Sequence, residues 1–212
     1  MTKENLPFRE TPAPLIGEHP ALDLINTEAR DPRGEAVDHW HDGGDVIAWL
    51  AQVGVDPAPG SRADQVDPDE LLARARALRT LARRLLVERA QSSADTDIAS
   101  LNTFLQDHPT TPHLSRDADG NLVLARVAHG EGTAAVLGPL AESVARFLVE
   151  ADFSLVKKCE HPDCILWFYD RARGGRRRWC SMAVCGNRHK VARFRKRAAV
   201  AGSPPSRTGA SS

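Results

Sequence analysis

The chain has 212 residues, and its 28 Lys+Arg balance 28 Asp+Glu to a formal charge of zero. Hydrophobic residues make up 42% and charged residues 26%, a globular balance that excludes wholesale disorder. No apolar run approaches the roughly 18 residues of a membrane span. The opening MTKENLPFRETPAPLIGE lacks the apolar core of a signal peptide, so a soluble, cytoplasmic protein is expected.

In chain order, Glu18 to Thr27 reads as a short helix with Pro20 at its first position. Asp45 to Val53 reads as a second helix that stops at Gly54. Asp56 to Asp67 is rich in Pro, Asp and Gly and reads as a loop. The clearest helix follows, capped by Asp67, with Pro68 at its first position and Leu71, Leu78, Leu81 and Leu85 at helical spacing. Its arginines Arg74, Arg76, Arg79, Arg83, Arg84 and Arg89 are expected to form a solvated face. Thr96 is expected to cap a further helix that ends before Pro109. Two short apolar runs, around His113 to Ser115 and Leu122 to Ala128, flank a turn at Asp117 to Gly120 and suggest a β-hairpin. A last helix runs from Thr133 to Asp152.

The polar residues His19, Asp23, Asn26, His39, His41, His108, His113 and His129 are the candidates for chemistry in this part. No pair has a spacing that demands a metal or a nucleophile, so packing and capping are the expected roles. With no repeat and about 150 residues, this part should build its own core.

Charge divides sharply along the chain. Residues 1–156 carry 14 Lys+Arg and 25 Asp+Glu, a balance of −11, whereas residues 157–212 carry 14 and 3, a balance of +11. All four cysteines lie in the basic part, as Cys159-x4-Cys164, then fifteen residues, then Cys180-x4-Cys185. Two local pairs of soft ligands suit one tetrahedral Zn²⁺. Two disulfides are the alternative, disfavoured in a reducing cytosol. The insert reads as a hairpin, with Ile165 to Tyr169 as one strand, a turn at Arg173 to Gly175, and Arg176 to Trp179 as the return. A basic helix follows Cys185, with Val191, Phe194 and Ala198 expected to pack on the zinc hairpin.

The cations are expected to meet phosphates, with Arg176, Arg178, Arg193, Lys196 and Arg197 as first contacts and Arg177, Arg188 and Lys190 in the wider set. The aromatics Trp167, Phe168, Tyr169, Trp179 and Phe194 are divided between a miniature core and a stacking surface for bases. Four thiolates leave no open metal position, so no enzyme activity is expected.

Cys180-Ser-Met-Ala-Val-Cys185-Gly186-Asn187-Arg188, with Phe168-Tyr169-Asp170 and Arg177-Arg178-Trp179 before it, resembles the signature of bacterial CGNR zinc-finger proteins. Pro20-Ala-Leu22-Asp23-Leu24-Ile-Asn26-Thr27 looks like the opening motif of the ABATE domain that precedes this finger. The resemblance implies a stress-induced transcription regulator with a mostly helical N-terminal domain. DNA is its expected partner; an RNA-binding role and a protein-interaction finger are the alternatives. Gly186 is expected to let the backbone approach the thiolates, and Asn187 to bridge backbone groups near them. Trp179 is assigned to the structure around the finger. Asp170 is assigned a structural role as well, with Arg188 either bracing it or binding phosphate. The fold expected is mainly α. A helical domain with a small β-hairpin spans residues 1–153, a treble-clef or zinc-ribbon-like finger spans 154–199, and a disordered tail spans 200–212. The N-terminal domain is expected to sense a small-molecule effector or to form a homodimer, and to restrain the basic finger.

Overall fold

The computed structural model describes residues 11–31, 33–57, 66–91, 98–129 and 131–201, without the side chains of 128 and 198–201. Among them the chain forms six α-helices and three separate two-stranded antiparallel sheets. The expected Thr96 cap, most of the Asp56 to Asp67 loop and the tail beyond residue 201 fall outside the described residues.

The helices start where the sequence supplies caps. His19 accepts the Ala21 N–H through Nδ1 at 3.1 Å and opens α1 (Pro20–Ile25). Asp42 caps α2 (Gly43–Gln52), two residues before the expected start. Asp67 accepts the N–H groups of Asp69 and Glu70 at the head of α3 (Pro68–Ala90), and the carboxylate suits the positive end of the helix. Then come α4 (Ala99–Gln106), the hairpin β3 (Thr110–Arg116) and β4 (Leu122–Ala128), and α5 (Gly132–Glu150). α5 has the length and hydropathy of a membrane span, contrary to the expectation that no run approaches one. Its Val136, Leu137, Leu140, Val144 and Phe147 are nonetheless buried in the main core.

That core gathers α1, α2, α3 and α5 around Leu22, Leu24, Leu50, Leu78, Leu85 and Leu140. α3 and α5 pack on each other, and α1 lies against both. The hairpin β3–β4 stands away from this core: Leu114, Leu122 and Leu124 are 62%, 63% and 72% exposed. Leu114 and Leu124 face each other across its register.

The arginines of α3 form a solvated face only in part: Arg84 and Arg89 are exposed, whereas Arg76, Arg79 and Arg83 turn to partners in the fold. Arg79 is buried, and its guanidinium forks onto Asp38 at 2.7 and 2.8 Å, reaches Thr27 at 3.0 Å and lies under the Trp40 ring. Arg83 holds Glu28, and Arg76 holds Asp38 and the Trp40 carbonyl. Together they tie the hairpin of β1 (Glu28–Arg30) and β2 (Ala36–Asp38) to α3. Helical spacing places Arg76, Arg79 and Arg83 on one face. Only the tertiary structure puts the acids opposite them.

Burial pushes the Asp38 carboxyl up, but the Arg79 fork, the Trp40 N–H and the Arg79 and Arg76 charges outweigh it and hold it below the usual carboxylate range. Arg79→Met is expected to cost about 2–4 kcal/mol, less than the roughly 3–5 kcal/mol of a fully buried broken pair, because Asp38 keeps partial access to water. A depressed carboxyl contributes its stability above the unfolded pKa, near about 4, and loses it as pH falls through the lower folded value. Urea unfolding at about pH 7 and about pH 3 should therefore show a gap between wild type and variant that narrows in acid. A gap of equal size at both values would exclude the ion pair as its source.

Candidate metal centre and nucleic-acid face

Two short strands lead into the finger. β5 (Val156–Lys158) pairs with β6 (Trp167–Tyr169) in the register Lys157↔Phe168, and the Cys159 N–H continues the ladder to the Leu166 carbonyl at 2.9 Å. The expected hairpin between Ile165–Tyr169 and Arg176–Trp179 does not form. β6 pairs backwards, with the segment ahead of the first cysteine, and Arg176 to Arg178 run as irregular backbone. A π-turn at Met182–Gly186 carries Cys185 and opens into α6 (Asn187–Ala201).

These elements bring the four sulfurs together. All four Sγ atoms lie within 4.8 Å of one another. Cys164 and Cys180 are 3.8 Å apart, and Cys180 and Cys185 are 3.5 Å apart, with no disulfide among the four. A tetrahedral ion with Zn–S near 2.3 Å needs sulfur edges of about 3.8 Å, so the cage has zinc's size. Its electrostatics also call for a cation. Hydrogen bonds from Cys164 and Cys180 hold the Cys159 thiol down, while the same cluster pushes Cys164 and Cys180 up, and burial pushes Cys185 up to about 12. Four buried thiolates repel each other, and a divalent metal is what lets all four ionise. The cysteines bind one structural zinc ion.

Asp170 organises the loop beyond β6. It is fully buried and accepts from Lys157 Nζ at 2.7 Å, the Arg177 N–H at 3.0 Å and the Ala172 N–H at 3.1 Å. Lys157, not Arg188, is its brace. Burial acts against the Asp170 charge, but these donors win and its carboxyl stays low. Gly186 is close-packed: an added Cβ would lie 2.8 Å from Met182 Sδ and 3.3 Å from the Trp179 ring. Asn187 donates to the Ala183 carbonyl at 3.1 Å and so closes the π-turn. Trp179 stacks on His189 at 4.8 Å and thereby ties the second cysteine loop to α6.

The finger is joined to the N-terminal domain through the motif at α1. Asn26 is fully buried and makes two bonds of 2.8 Å to Trp167, one to its carbonyl and one from its N–H. The side-chain amide thus completes β6 as a strand would. The Gly17 carbonyl accepts the Tyr169 N–H at 3.0 Å, and Asp23 in turn holds the Gly17 N–H at 2.7 Å. Glu18, at a left-handed φ of 62°, pairs with Arg177. Arg177 also donates to the Ile16, Trp179 and Cys180 carbonyls and lies over Phe168. It was expected to meet phosphate; its donors are spent inside the protein. The motif was legible as a resemblance, but nothing in its residue types disclosed that Asn26 docks the finger.

The other cations lie outside. Arg176 and Arg178 edge a cleft of about 630 Å³ that Ile16, Glu18, Trp179 and Met182 also line. Arg178 bridges Glu160 at 2.6 Å on the surface. On α6 every side chain from Lys190 to Arg197 is exposed, including Val191 at 49% and Phe194 at 73%. The expected packing of Val191 and Phe194 on the finger is therefore absent. The expected restraint of the finger by the acidic domain is not visible as a cover over α6 among the described residues.

At about 100° per residue, Lys196, His189, Arg193, Arg197, Lys190 and Phe194 follow one another around roughly 160° of the helix. His189 meets Trp179, so this arc begins beside the Arg178 cleft.

Four of the six histidines of the N-terminal domain fill local roles, while His108 is buried against Gly138 of α5 and His113 is exposed on β3. His19 caps α1 and packs on Phe147, His39 bonds the Thr11 carbonyl, His41 bonds Asp45, and His129 bonds Thr111.

Comparison with known proteins agrees with this division. Residues 18–151 match the family model ABATE, described as "Putative stress-induced transcription regulator", and residues 156–198 match the CGNR zinc finger. A search of the curated proteins finds no match. With the first model covering more than half of the chain and the four-cysteine cage built as the second requires, the chain belongs to the ABATE family and ends in a CGNR zinc finger.

Proposed function

We propose that this chain is a zinc-dependent nucleic-acid-binding regulator with DNA as its target. The observation that carries this is α6: Arg188, Lys190, Arg193, Arg195, Lys196 and Arg197 make no ion pair among the described residues, and residues 187–201 contain no acid. A helix of cations left without internal partners is a surface for a polyanion. Arg176 and Arg178 extend it past Trp179. The Arg178–Glu160 pair is exposed at both ends, and such a pair is worth about 0–1 kcal/mol, so phosphate displaces it at little cost. Zinc holds the cysteine loops that aim these side chains; its four thiolate ligands leave no position for a reacting water, and no catalytic role is assigned.

For the N-terminal domain we propose sensing or self-association. A cleft of about 480 Å³ between Thr11–Ala13 and α2, and the aliphatic face of β3–β4, support it.

If about five phosphates are neutralised, log K for duplex DNA should fall against log salt with a slope of roughly −4 to −5. Arg193→Ala and Lys196→Ala should each flatten it by about 1. Binding that is independent of salt, or slopes unmoved by these variants, would overturn the assignment of α6. Structured RNA that outcompetes duplex DNA at matched salt would favour an RNA target.

A further inference from the structure

The finger carries five aromatic side chains, and the fold sorts them. Phe168 is fully buried beneath the zinc cage, Trp167 and Tyr169 pack against the main core at the joint, and Trp179 is covered on one side by His189. Phe194 alone among them is left in water, at 73% exposure. An exposed Phe gains nothing from leaving water until something covers it, and Phe194 stands, with the half-exposed Val191, on a helix whose other exposed side chains are mostly cations.

Charge says what covers it. The helical neighbours of Phe194 are Lys190 and Arg197 on one side and Val191 and position 198, an alanine, on the other, with Arg195 further round. A second copy of α6 would bring cation against cation. A polyanion with flat apolar groups along it meets both features at once: phosphates on the cations, a base on the ring. An intact duplex hides its base faces in the stack, whereas a single strand offers them.

We infer that Phe194 is a base-stacking residue and that the α6 face takes strands with unstacked bases in preference to intact duplex. This rests on the nucleic-acid assignment of α6 and adds to it the state of the nucleic acid recognised. The strand's phosphates follow Arg193, Arg197 and Lys190, and one base lies on Phe194.

The test uses the full zinc-loaded chain and fluorescence anisotropy, with a labelled oligo-dT of about 15 nucleotides and a mixed-sequence duplex of equal length, across about 50–200 mM salt. Wild type should prefer the oligo-dT. Phe194→Ala should weaken oligo-dT by about 5- to 100-fold, the range of one lost base stack, while the salt slope and the duplex affinity stay as they were. Phe194→Tyr should restore binding. Because Phe194 is 73% exposed, the variants should keep the fold, and metal content with far-ultraviolet dichroism checks that. Unchanged oligo-dT affinity in Phe194→Ala, with the steep salt slope intact, overturns the stacking role and leaves nucleic-acid binding standing. Equal losses on both probes overturn the preference for unstacked bases. No binding of either probe by wild type overturns both, and the ridge is then a site for an acidic protein partner.

Discussion

Removal of zinc from the full chain should unfold the second cysteine loop and α6 while leaving the joint strand β6 in place. The cluster under the metal consists of the four cysteines and Phe168, with Ile16, Leu166 and Trp179 packed against it. Such a cluster cannot order about 40 residues by burial alone. Structural zinc supplies roughly 10–16 kcal/mol in small finger peptides. Without it the cage holds thiols that resist ionising together, and the loops that carry them lose their common centre. β6 is different, because Trp167 and Tyr169 belong to the main core and Asn26 holds the Trp167 backbone.

Chelation, or Cys180→Ser, should therefore take metal content from one ion to none. Amide protection should be lost over residues 176–201 and kept at 167–169. Nucleic-acid binding should fall at least tenfold, because the α6 cations lose their common frame (a tenfold loss is about 1.4 kcal/mol). Protection of α6 that survives complete metal removal would show that the helix is held by something other than the cage.

How far the sequence discloses this site depends on whether a residue's partner lies nearby in the chain. The zinc ligands are legible because each pair closes locally, with four residues between its members, and thiols have few other uses in that pattern. The helix caps at Asp67 and Pro68 are legible for the same reason. Arg177 is not: beside Arg176 and Arg178 it looks like one more exposed cation. Two of its partners, Glu18 and the Ile16 carbonyl, lie some 160 residues earlier. Arg79 misleads in the same way, since helical spacing cannot say whether an acid waits opposite.

The strand that pairs with β6 is not the expected Arg176 to Trp179, because Val156-Lys157-Lys158, with two charges in three residues, carries no apolar alternation to mark it. Lys157 in fact turns to Asp170, which lets the short segment pair with β6. The stripe of Val191 and Phe194 shows the limit of periodicity. An apolar face implies that something covers it, and the pattern cannot say whether that partner is in the same chain.

The joint yields the other large effect. Asn26→Ala should cost about 2–5 kcal/mol, because two part-buried backbone groups of Trp167 lose their partners at roughly 1–3 kcal/mol each. The Glu18–Arg177 contact cannot compensate, since Glu18 is 40% exposed and such a pair contributes about 0–1 kcal/mol. Asn26→Asp should be at least as damaging: it keeps an acceptor for the Trp167 N–H but sets a buried carboxylate against the Trp167 carbonyl. Asn26→Ser is too short to reach both groups and should behave like Ala.

The measurement is a urea midpoint together with metal content and amide exchange at Trp167 and Tyr169. Stability should fall while one zinc stays bound, because the cage does not use Asn26. Loss of metal in step with stability would mean that joint and cage form one cooperative unit. A midpoint that moves by less than about 0.5 kcal/mol would instead place the hold on the finger elsewhere, in the Gly17–Tyr169 bond and the rings of Phe147 and Tyr169. The expected outcome separates the two jobs of the family's two motifs: cysteines make the finger, and Asn26 fixes where its basic face points.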